Sequence, residues 1–544
     1  MLSAIAPHSS YPLHSAAATR AIEQAAASAL APHTLMQRAG LAVARLACAV
    51  APHAQTIWVA CGPGNNGGDG LEAAMHLARW GHRPVLTLLG SPAQLPPDAA
   101  ASLARALQAG VQLASAPPAR CDLAIDALLG LGTDKGVNQA ASQAHRPLPS
   151  AMQSLLLHMH THAKSVLCVD LPSGLSADTG CYGDTQFATQ LIAARAAFPW
   201  VRSLFCLNLL TLKPGCFTAQ GKDAAGQVWF DDLGLGLGLG AASSSAPTSP
   251  TSPTSPTAWL LGADRAALAP RLHASHKGSY GDVAVVGGAP GMLGAALLAA
   301  RAALHAGAGR VLVSLLDGPP GTPTDHASMA VDPTQPELMF RPLAAIDLRN
   351  TSVVCGCGGG TSVRGVLAQV LSTAQNLVLD ADALNAIAID TALQTLLTAR
   401  TGRVARDPKA APNATASATV ITPHPLEAAR LLGCSVAQVQ TNRLHAAQQI
   451  ADRFQCTVIL KSAGSIIAAP GELPRINHSG NAALATAGTG DVLAGVVGAY
   501  LAAGMGSLHA ACAAAFAHGQ AADRWPASAP ALTASGLAVR CGAA

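Results

Sequence analysis

The sequence predicts an α/β protein made of two successive units, each a mainly parallel sheet with helices on its faces. Three observations predict it. In both halves short apolar runs alternate with segments of helical period, which is the rhythm of βαβ units. Glycine-rich stretches fall at 61–70 and again at 480–491, where non-helical chain gives way to helix. Between the halves, 241–257 repeats Pro, Ser and Thr, a composition that favours extended, solvated chain and forms no core. The cuts fall at 240 and 258, giving a first unit over 1–240, a linker over 241–257 and a second unit over 258–544. A chain of 544 residues is also too long for one ordinary core.

In the first unit the apolar runs place strands at 56–60, 84–89, 123–127 and 165–169, with helices at 71–80 and 99–108 between them. The alternation of Leu and Gly over 233–240 is expected to end the last strand of this unit. In the second unit strands are expected at 282–286, 310–314, 352–355, 377–379, 419–421 and 457–460. The polar, Pro-containing stretch 401–417 should be a surface loop. No residue between Asp491 and Asp523 carries a formal charge, a length that would span a bilayer. It is rich in alanine and interrupted by His509, His518, Gly504 and Gly506, so two buried helices joined at 504–507 explain it better than a membrane span.

Half the residues are apolar, yet only 3% are aromatic and 11% charged, so alanine and glycine should make a core of small, closely packed side chains. The formal net charge of +4 is mild, and no basic run interleaves with aromatics, which argues against a nucleic-acid partner. Thirteen cysteines are scattered without a Cys-x-x-Cys pair, and Cys355 and Cys357 lack the histidine or second pair of a zinc site. Reduced, mostly buried thiols and a cytoplasmic home are expected. The first residues lack the basic region and apolar core of a signal peptide. Association into a homo-oligomer is left open.

Chemistry gathers at the strand ends, where ligands bind in such sheets. Asn65, Asn66 and Asp69 lie in the first glycine-rich stretch, Asp126 closes one strand ahead of a glycine-rich loop, and Asp170 closes another ahead of Ser173. Amide oxygens, carboxylates and a hydroxyl are hard donors suited to an alkali or alkaline-earth cation. A lone carboxylate at a strand end is often only a turn former, but three such motifs at successive strand ends point to a site.

These motifs, Gly62-Pro-Gly-Asn-Asn-Gly-Gly-Asp-Gly70, Asp126-Ala-Leu-Leu-Gly-Leu-Gly132 and Val169-Asp-Leu-Pro-Ser-Gly-Leu175, resemble the NAD(P)H-hydrate epimerase domain, over nearly all of 1–240. The resemblance implies a Rossmann-like doubly wound fold and epimerisation at C6 of hydrated nicotinamide cofactors. It implies a potassium ion (K+) on Asn66, Asp126 and Ser173. Contacts to NADH hydrate or NADPH hydrate are implied for Asn65, Asn66, Gly67, Gly68 and Asp69. They extend to Gly130, Leu131, Gly132, Thr133, Asp134, Lys135 and Gly136, with Asp170 as the catalytic carboxylate.

In the second unit, Asp380-Ala-Asp-Ala-Leu-Asn385, Thr422-Pro-His-Pro-Leu-Glu427, Leu460-Lys-Ser-Ala-Gly-Ser465 and Gly488-Thr-Gly-Asp491 resemble the ADP-dependent (S)-NAD(P)H-hydrate dehydratase domain, a ribokinase-like α/β fold. The resemblance spans about 260–525. It implies an adenine-nucleotide site at Lys461, Ser462, Ala463, Gly464, Ser465 and Gly490, with ADP and Mg2+ consumed or held there. Gly360, His424 and Asp491 should approach the hydrate, with Asp491 as the base. Two departures stand out: Ser462 follows Lys461 where the family has glycine, and the family's Gly-Pro-Gly-Leu-Gly appears as Gly356-Cys-Gly-Gly-Gly360.

Other readings of the same residues remain. A carboxylate after Gly-Thr-Gly is also an ordinary helix cap, or the base of a small-molecule kinase that leaves a stable phosphorylated product. His424, between two prolines, can serve only to order its loop. The first unit could bind nucleotide without catalysis, although three intact carboxylates exceed what binding requires.

Overall fold

In the computed structural model the described residues are 2–134, 147–197, 203–237, 252–268, 272–317, 331–402 and 417–542. The chain separates into two compact units, Met1–Ala6 with Tyr11–Ala258, and Pro7–Ser10 with Trp259–Ala544.

The first unit is built on an eight-stranded sheet. Its strands run Ser3–Ala4, Gln227–Asp231, Ser203–Leu209, Ala163–Val169, Cys121–Ala127, Ile57–Cys61, Val85–Leu88, Gln112–Leu113 from edge to edge. All neighbours are parallel except the first pair. From Ile57–Cys61 the chain winds outward to Val85–Leu88 and Gln112–Leu113, then returns to place Cys121–Ala127 on the other side. That reversal opens a crevice beyond the carboxyl ends of the two central strands, as in a Rossmann-like doubly wound fold. Alternate side chains of these strands feed opposite faces. Ile57, Val59, Ile125 and Leu167 pack with Val43, Leu71 and Leu103, which come from the helices Thr34–Val50, Asn65–Arg79 and Pro97–Gln108. On the other face Trp58 meets His158 of the helix Ser150–His162 edge-on at 5.5 Å.

The second unit repeats the scheme. Its strand order is Met339–Phe340, Arg310–Leu315, Asp282–Gly287, Ser352–Cys355, Leu377–Leu379, Thr419–Ile421, Thr457–Leu460, Ile466–Ala468, Arg475–Asn477, Ala258–Leu261. The strands are parallel as far as Thr457–Leu460, and Ile466–Ala468 is antiparallel to both neighbours. Winding reverses between Asp282–Gly287 and Ser352–Cys355. Val283, Val285, Val354 and Val378 feed one core with the helices Leu293–His305, Thr489–Ala502 and Ser507–Asp523; Val286, Val353, Leu377 and Leu379 feed the other. The helices on the first face are rich in Ala and Gly, so they approach closely. At Gly495 an added Cβ would fall 2.1 Å from the carbonyl oxygen of Ala299.

Each strand expected from the sequence is present within two residues of its expected bounds. The uncharged stretch is two helices, Thr489–Ala502 and Ser507–Asp523, and no helix among the described residues is long and apolar enough to cross a membrane. All thirteen cysteines are free thiols.

Three readings need correction. The helix after the first glycine-rich stretch begins at Asn65, not at 71, so Gly67, Gly68 and Gly70 lie inside it. Their role is close packing: a Cβ on Gly67 would meet the Gly62 carbonyl oxygen at 2.0 Å. The last strand of the first unit ends at Asp231, before the Leu–Gly alternation, in which Leu233 and Gly234 both have positive φ and residues 238–240 lie outside the described residues. The strand Ser203–Leu209 is not among the expected strands, and Gln227–Asp231 is the last strand, whose position the sequence left unspecified. Of the expected loop 401–417, residues 403–416 lie outside the described residues, as do 241–251 of the linker.

Candidate active sites

In the first unit a cavity of about 580 Å³ opens at the winding reversal, lined by Asn65, Asn66, Asp69, Gly130, Leu131, Gly132 and Asp170. Helix Asn65–Arg79 points its N-terminus here behind Gly64, leaving first-turn amides free for a polar ligand. Asn66 lies against the Gly130 loop: its Oδ1 would be 3.0 Å from a Cβ on Gly130. Its Nδ2 is buried without a partner. Rotating the amide by 180° would present an oxygen at that position instead.

Behind the cavity, Asp126 and Ser173 are buried together. Ser173 donates from Oγ to Asp126 Oδ1 at 2.6 Å and from its backbone N–H to Oδ2 at 3.0 Å. Leu129 N–H donates to Ser173 Oγ at 2.8 Å, tying the loop after the strand to this pair. Burial pushes the Asp126 carboxyl up, and hydrogen bonds from Ser173 and Leu128 oppose the shift. Among the described residues no lysine or arginine is paired with Asp126.

Asp170 adopts a left-handed backbone with φ of 67°, sparsely populated for a residue with a Cβ. The surroundings hold it there. Its N–H donates to Leu207 O at 2.8 Å, and Asn208 Nδ2 donates to its carbonyl at 2.8 Å. Its Oδ1 accepts from Leu209 N–H at 3.1 Å and from the ammonium of Lys213, which is fully buried and also donates to Leu209 O at 2.7 Å. Lys213 is absent from the sequence reading, although only seven lysines occur in the chain and this one ends an apolar run.

The crevice is acidic. Burial, then the charges of Asp170 and Glu23, hold the Asp69 carboxyl well above the usual range. Glu23, from the helix Ala16–Ala29, is raised by burial and by Asp170, with Lys213 and Arg20 acting the other way. Of the residues expected here, Gly67 and Gly68 are buried in the helix and do not line the cavity. Thr133 and Asp134 end a single 3-10 turn, while Lys135 and Gly136 lie outside the described residues.

In the second unit Asp491 sits in the first turn of helix Thr489–Ala502, whose cap Gly488 has φ of 86°. His518 Nε2 donates to Thr489 O at 2.9 Å, bracing this turn from behind, and burial brings His518 down to about 4, so it is neutral. Lys461 Nζ donates to Asp380 Oδ1 at 2.7 Å, and Gly490 packs on this pair: its Cβ would lie 3.2 Å from Nζ. Burial and the Asp380 charge push Asp491 up to about 6. Cys357 opposes that shift through a hydrogen bond to the Asp491 carboxylate, and the Lys461 charge acts the same way. Ligand atoms of Cys357, Asp380 and Asp491 all lie within 4.8 Å of one another. With Lys461 already neutralising Asp380 and a soft sulfur in the set, this is a charge-sharing cluster around Asp491 rather than a metal cage.

The loop 356–360 is fixed by its glycines: Gly356, Gly358 and Gly360 have φ of 116°, 59° and 53°. The departures Cys357 and Gly359 therefore fall at the two positions whose backbone makes no such demand. Asp382 Oδ2 accepts from Gly360 N–H at 2.8 Å. Ser462 has φ of 156°, a conformation that favours the glycine it replaces. Arg443, buried, donates to Ala463 O at 2.5 Å and holds the 461–465 loop. Gly464 is left-handed, and Ser465 Oγ donates to Ser462 O at 3.3 Å.

His424 caps the helix Pro425–Leu432: its Nδ1 accepts from Leu426 and Glu427 N–H at 3.1 and 3.3 Å, and Glu427 Oε2 accepts from its N–H at 2.8 Å. Its Nε2 lies 3.2 Å from Glu427 Oε1, so Glu427 holds the ring from both sides while 45% of the side chain stays exposed. Burial pushes Glu427 up to about 7, with Lys461 lowering and Asp380 raising it.

Two family models match: one described as NAD(P)H-hydrate dehydratase over residues 283–539, and one described as YjeF-related protein N-terminus over residues 32–198. The bifunctional NAD(P)H-hydrate repair enzyme Nnr of Escherichia coli (strain K12) is 34% identical over 501 residues, covering 90% of this chain and 85% of that protein. The ADP-dependent (S)-NAD(P)H-hydrate dehydratase of Neisseria meningitidis serogroup B is 42% identical over 259 residues, 46% of this chain and 80% of its own. The solved ADP/ATP-dependent NAD(P)H-hydrate dehydratase from Bacillus subtilis, co-crystallised with ATP and Mg2+, has 29% sequence identity and a TM-score of 0.41, over 51% of this chain and 93% of that one.

Proposed function

This chain belongs to the bifunctional NAD(P)H-hydrate repair enzymes, and on that premise we propose that it restores hydrated nicotinamide cofactors in two steps. The first unit interconverts the R and S forms of NADH or NADPH hydrate; the second dehydrates the S form at the expense of ADP, giving AMP and phosphate. The observation that carries the reading is the pairing, in each unit, of a constrained carboxylate with a glycine-framed strand end: Asp170 in left-handed backbone, Asp491 on a helix N-terminus.

In epimerisation the C6–O bond breaks as the ring-nitrogen lone pair forms N=C6, and water returns on the other face. Asp170, fixed by Lys213 and Leu209, takes a proton from that water. Asn66, Asp126 and Ser173 would hold a potassium ion. Their oxygens suit a hard monovalent cation, Asp126 is a buried carboxyl with no cationic partner among the described residues, and Asn66 has an unmatched amide end. The ion would supply that charge beside the crevice.

In dehydration the C6 hydroxyl is a poor leaving group until it is phosphorylated. Asp491 takes the hydroxyl proton as oxygen attacks the terminal phosphoryl group of ADP, and the amides of helix Thr489–Ala502 meet the developing charge. The ring nitrogen then expels phosphate as N=C6 forms, and loss of a proton from C5 to water gives back the C5=C6 double bond. Lys461 and the 461–465 loop, with Gly490, hold the nucleotide, whose diphosphate would bring Mg2+. His424, held by Glu427 and half exposed, turns its ring toward the hydrate. We place the enzyme in the cytoplasm, where free thiols persist.

The test is to supply mixed R and S NADH hydrate with ADP, Mg2+ and K+ and to follow the absorbance of reduced nicotinamide. Complete recovery is expected. Recovery stopping at the S fraction would refute the epimerase half, and a stable phosphorylated product without recovery would make the second unit a kinase.

A further inference from the structure

The planar cation left when hydroxide departs from C6 must be served from both faces. Asp170 cannot swing between them, because its backbone is held left-handed and its carboxylate is clamped by Lys213 and by the N–H of Leu209. A second proton carrier is required. The helix Ala16–Ala29 turns Thr19, Arg20, Glu23 and Ala27 toward the same cavity that Asp170 enters from the sheet. Arg20 is engaged with the Leu131 carbonyl, and Asp98 is paired with His33 at 2.5 Å. The half-buried carboxyl of Glu23 accepts no hydrogen bond from any described residue.

We propose that Glu23 is the second catalytic carboxyl of the epimerase, serving the ring face opposite Asp170. This rests on the epimerase reading of the first unit. In the R to S direction protonated Glu23 gives its proton to the departing hydroxyl, the C6–O bond breaks, and the ring nitrogen takes up the positive charge as N=C6. Water then bonds to C6 from the other face and loses a proton to Asp170. One water leaves and one enters, and the two carboxyls have exchanged protonation states, which readies the site for the S to R direction. Glu23 suits the donor role because burial and the charges of Asp170 and Asp98 favour its protonated form, while Lys213 and Arg20 keep it from holding the proton too tightly. Asp69 also faces Glu23, and burial with the charges of Asp170 and Glu23 holds its carboxyl well above the usual range. Glu23 lies upstream of residue 32, where the family match begins, so no motif of that segment points to it.

The experiment measures interconversion of separated R and S NADPH hydrate by the full-length chain across pH, with K+ present. Wild type is expected to lose rate on the alkaline side as Glu23 deprotonates. Glu23→Gln should lower the rate at least 100-fold at unchanged KM and abolish that alkaline limb, with an unchanged Tm; Glu23→Asp should recover part of both rate and limb. A Glu23→Gln rate within twofold of wild type, or a loss equal at every pH with raised KM, would overturn the proposal. Failure of wild type to interconvert the epimers would instead overturn the epimerase reading.

Discussion

The environment of Asp491 sets a quantitative demand on dehydration. Burial and Asp380 bring this carboxyl from an ordinary 3.8 to about 6, a penalty of roughly 3 kcal/mol against the ionised form at about 1.4 kcal/mol per unit. A base works only when deprotonated, so the rate should rise with pH around a midpoint near 6. Between pH 7 and pH 5 the ionised fraction falls from about nine-tenths to about one-tenth, and the rate of S-hydrate dehydration should fall about tenfold; an unperturbed aspartate would lose almost nothing. The Cys357 thiol favours the ionised form by donating to it, so Cys357→Ala should move the midpoint upward, while Cys357→Ser keeps a donor and stays close to wild type. The assay is the initial rate of NADPH recovery from pure S-hydrate at saturating ADP from pH 5 to 8, corrected for acid decay of the product. A rate flat across that range, or a Cys357→Ala loss equal at every pH with an unmoved midpoint, would refute the argument.

Four further outcomes follow from the same geometry. Asp491→Asn should abolish dehydration yet raise Tm at pH 7 by a few degrees. A carboxyl with a raised folded pKa gives its full stability below the unfolded value of 3.8 and loses it as pH rises from there through about 6, and the amide removes the neutral-pH cost. Lys213→Ala should cost about 3–5 kcal/mol in denaturant unfolding of the first unit, since it strands the Asp170 charge in a buried setting; a loss below about 1 kcal/mol would contradict the ion pair. Ser462→Gly should stabilise the second unit by about 1 kcal/mol, read from its unfolding midpoint, because φ of 156° strains a residue with a Cβ; no gain would mean the loop relaxes around serine. Exchange of K+ for a bulky organic cation should lower the Tm of wild type but not of an Asn66→Ala variant, as measured by calorimetry.

What was legible in the sequence followed from period and punctuation. Apolar runs such as 377–379 and 457–460 are covered on both faces, so their composition alone locates them, and the residues at their ends fall where the sheet opens. Asp126 with Ser173, and Lys461 with Gly490 and Asp491, meet as their motifs imply. Lys213 and Glu23 were not legible for a physical reason. Each reaches its site from an element whose own pattern is ordinary, and only the tertiary fold brings a lone lysine after a strand, or one glutamate of an alanine-rich helix, to Asp170. The glycines at 67 and 68 misled in the opposite direction: they advertise a flexible loop, yet they are there so that a helix can press against its neighbours.

Gly495 stands one helical turn beyond Asp491, with the Ala299 carbonyl filling the space a methyl group would need. The depth at which the reactive carboxylate emerges is thus gauged by backbone touching backbone, one turn further along the same helix. A single methyl added there would lift the helix like a shim under a hinge and carry the base off its mark. Loss of turnover would then arise from a residue that no ligand meets, while the loops around the nucleotide remain free to vary without disturbing the setting.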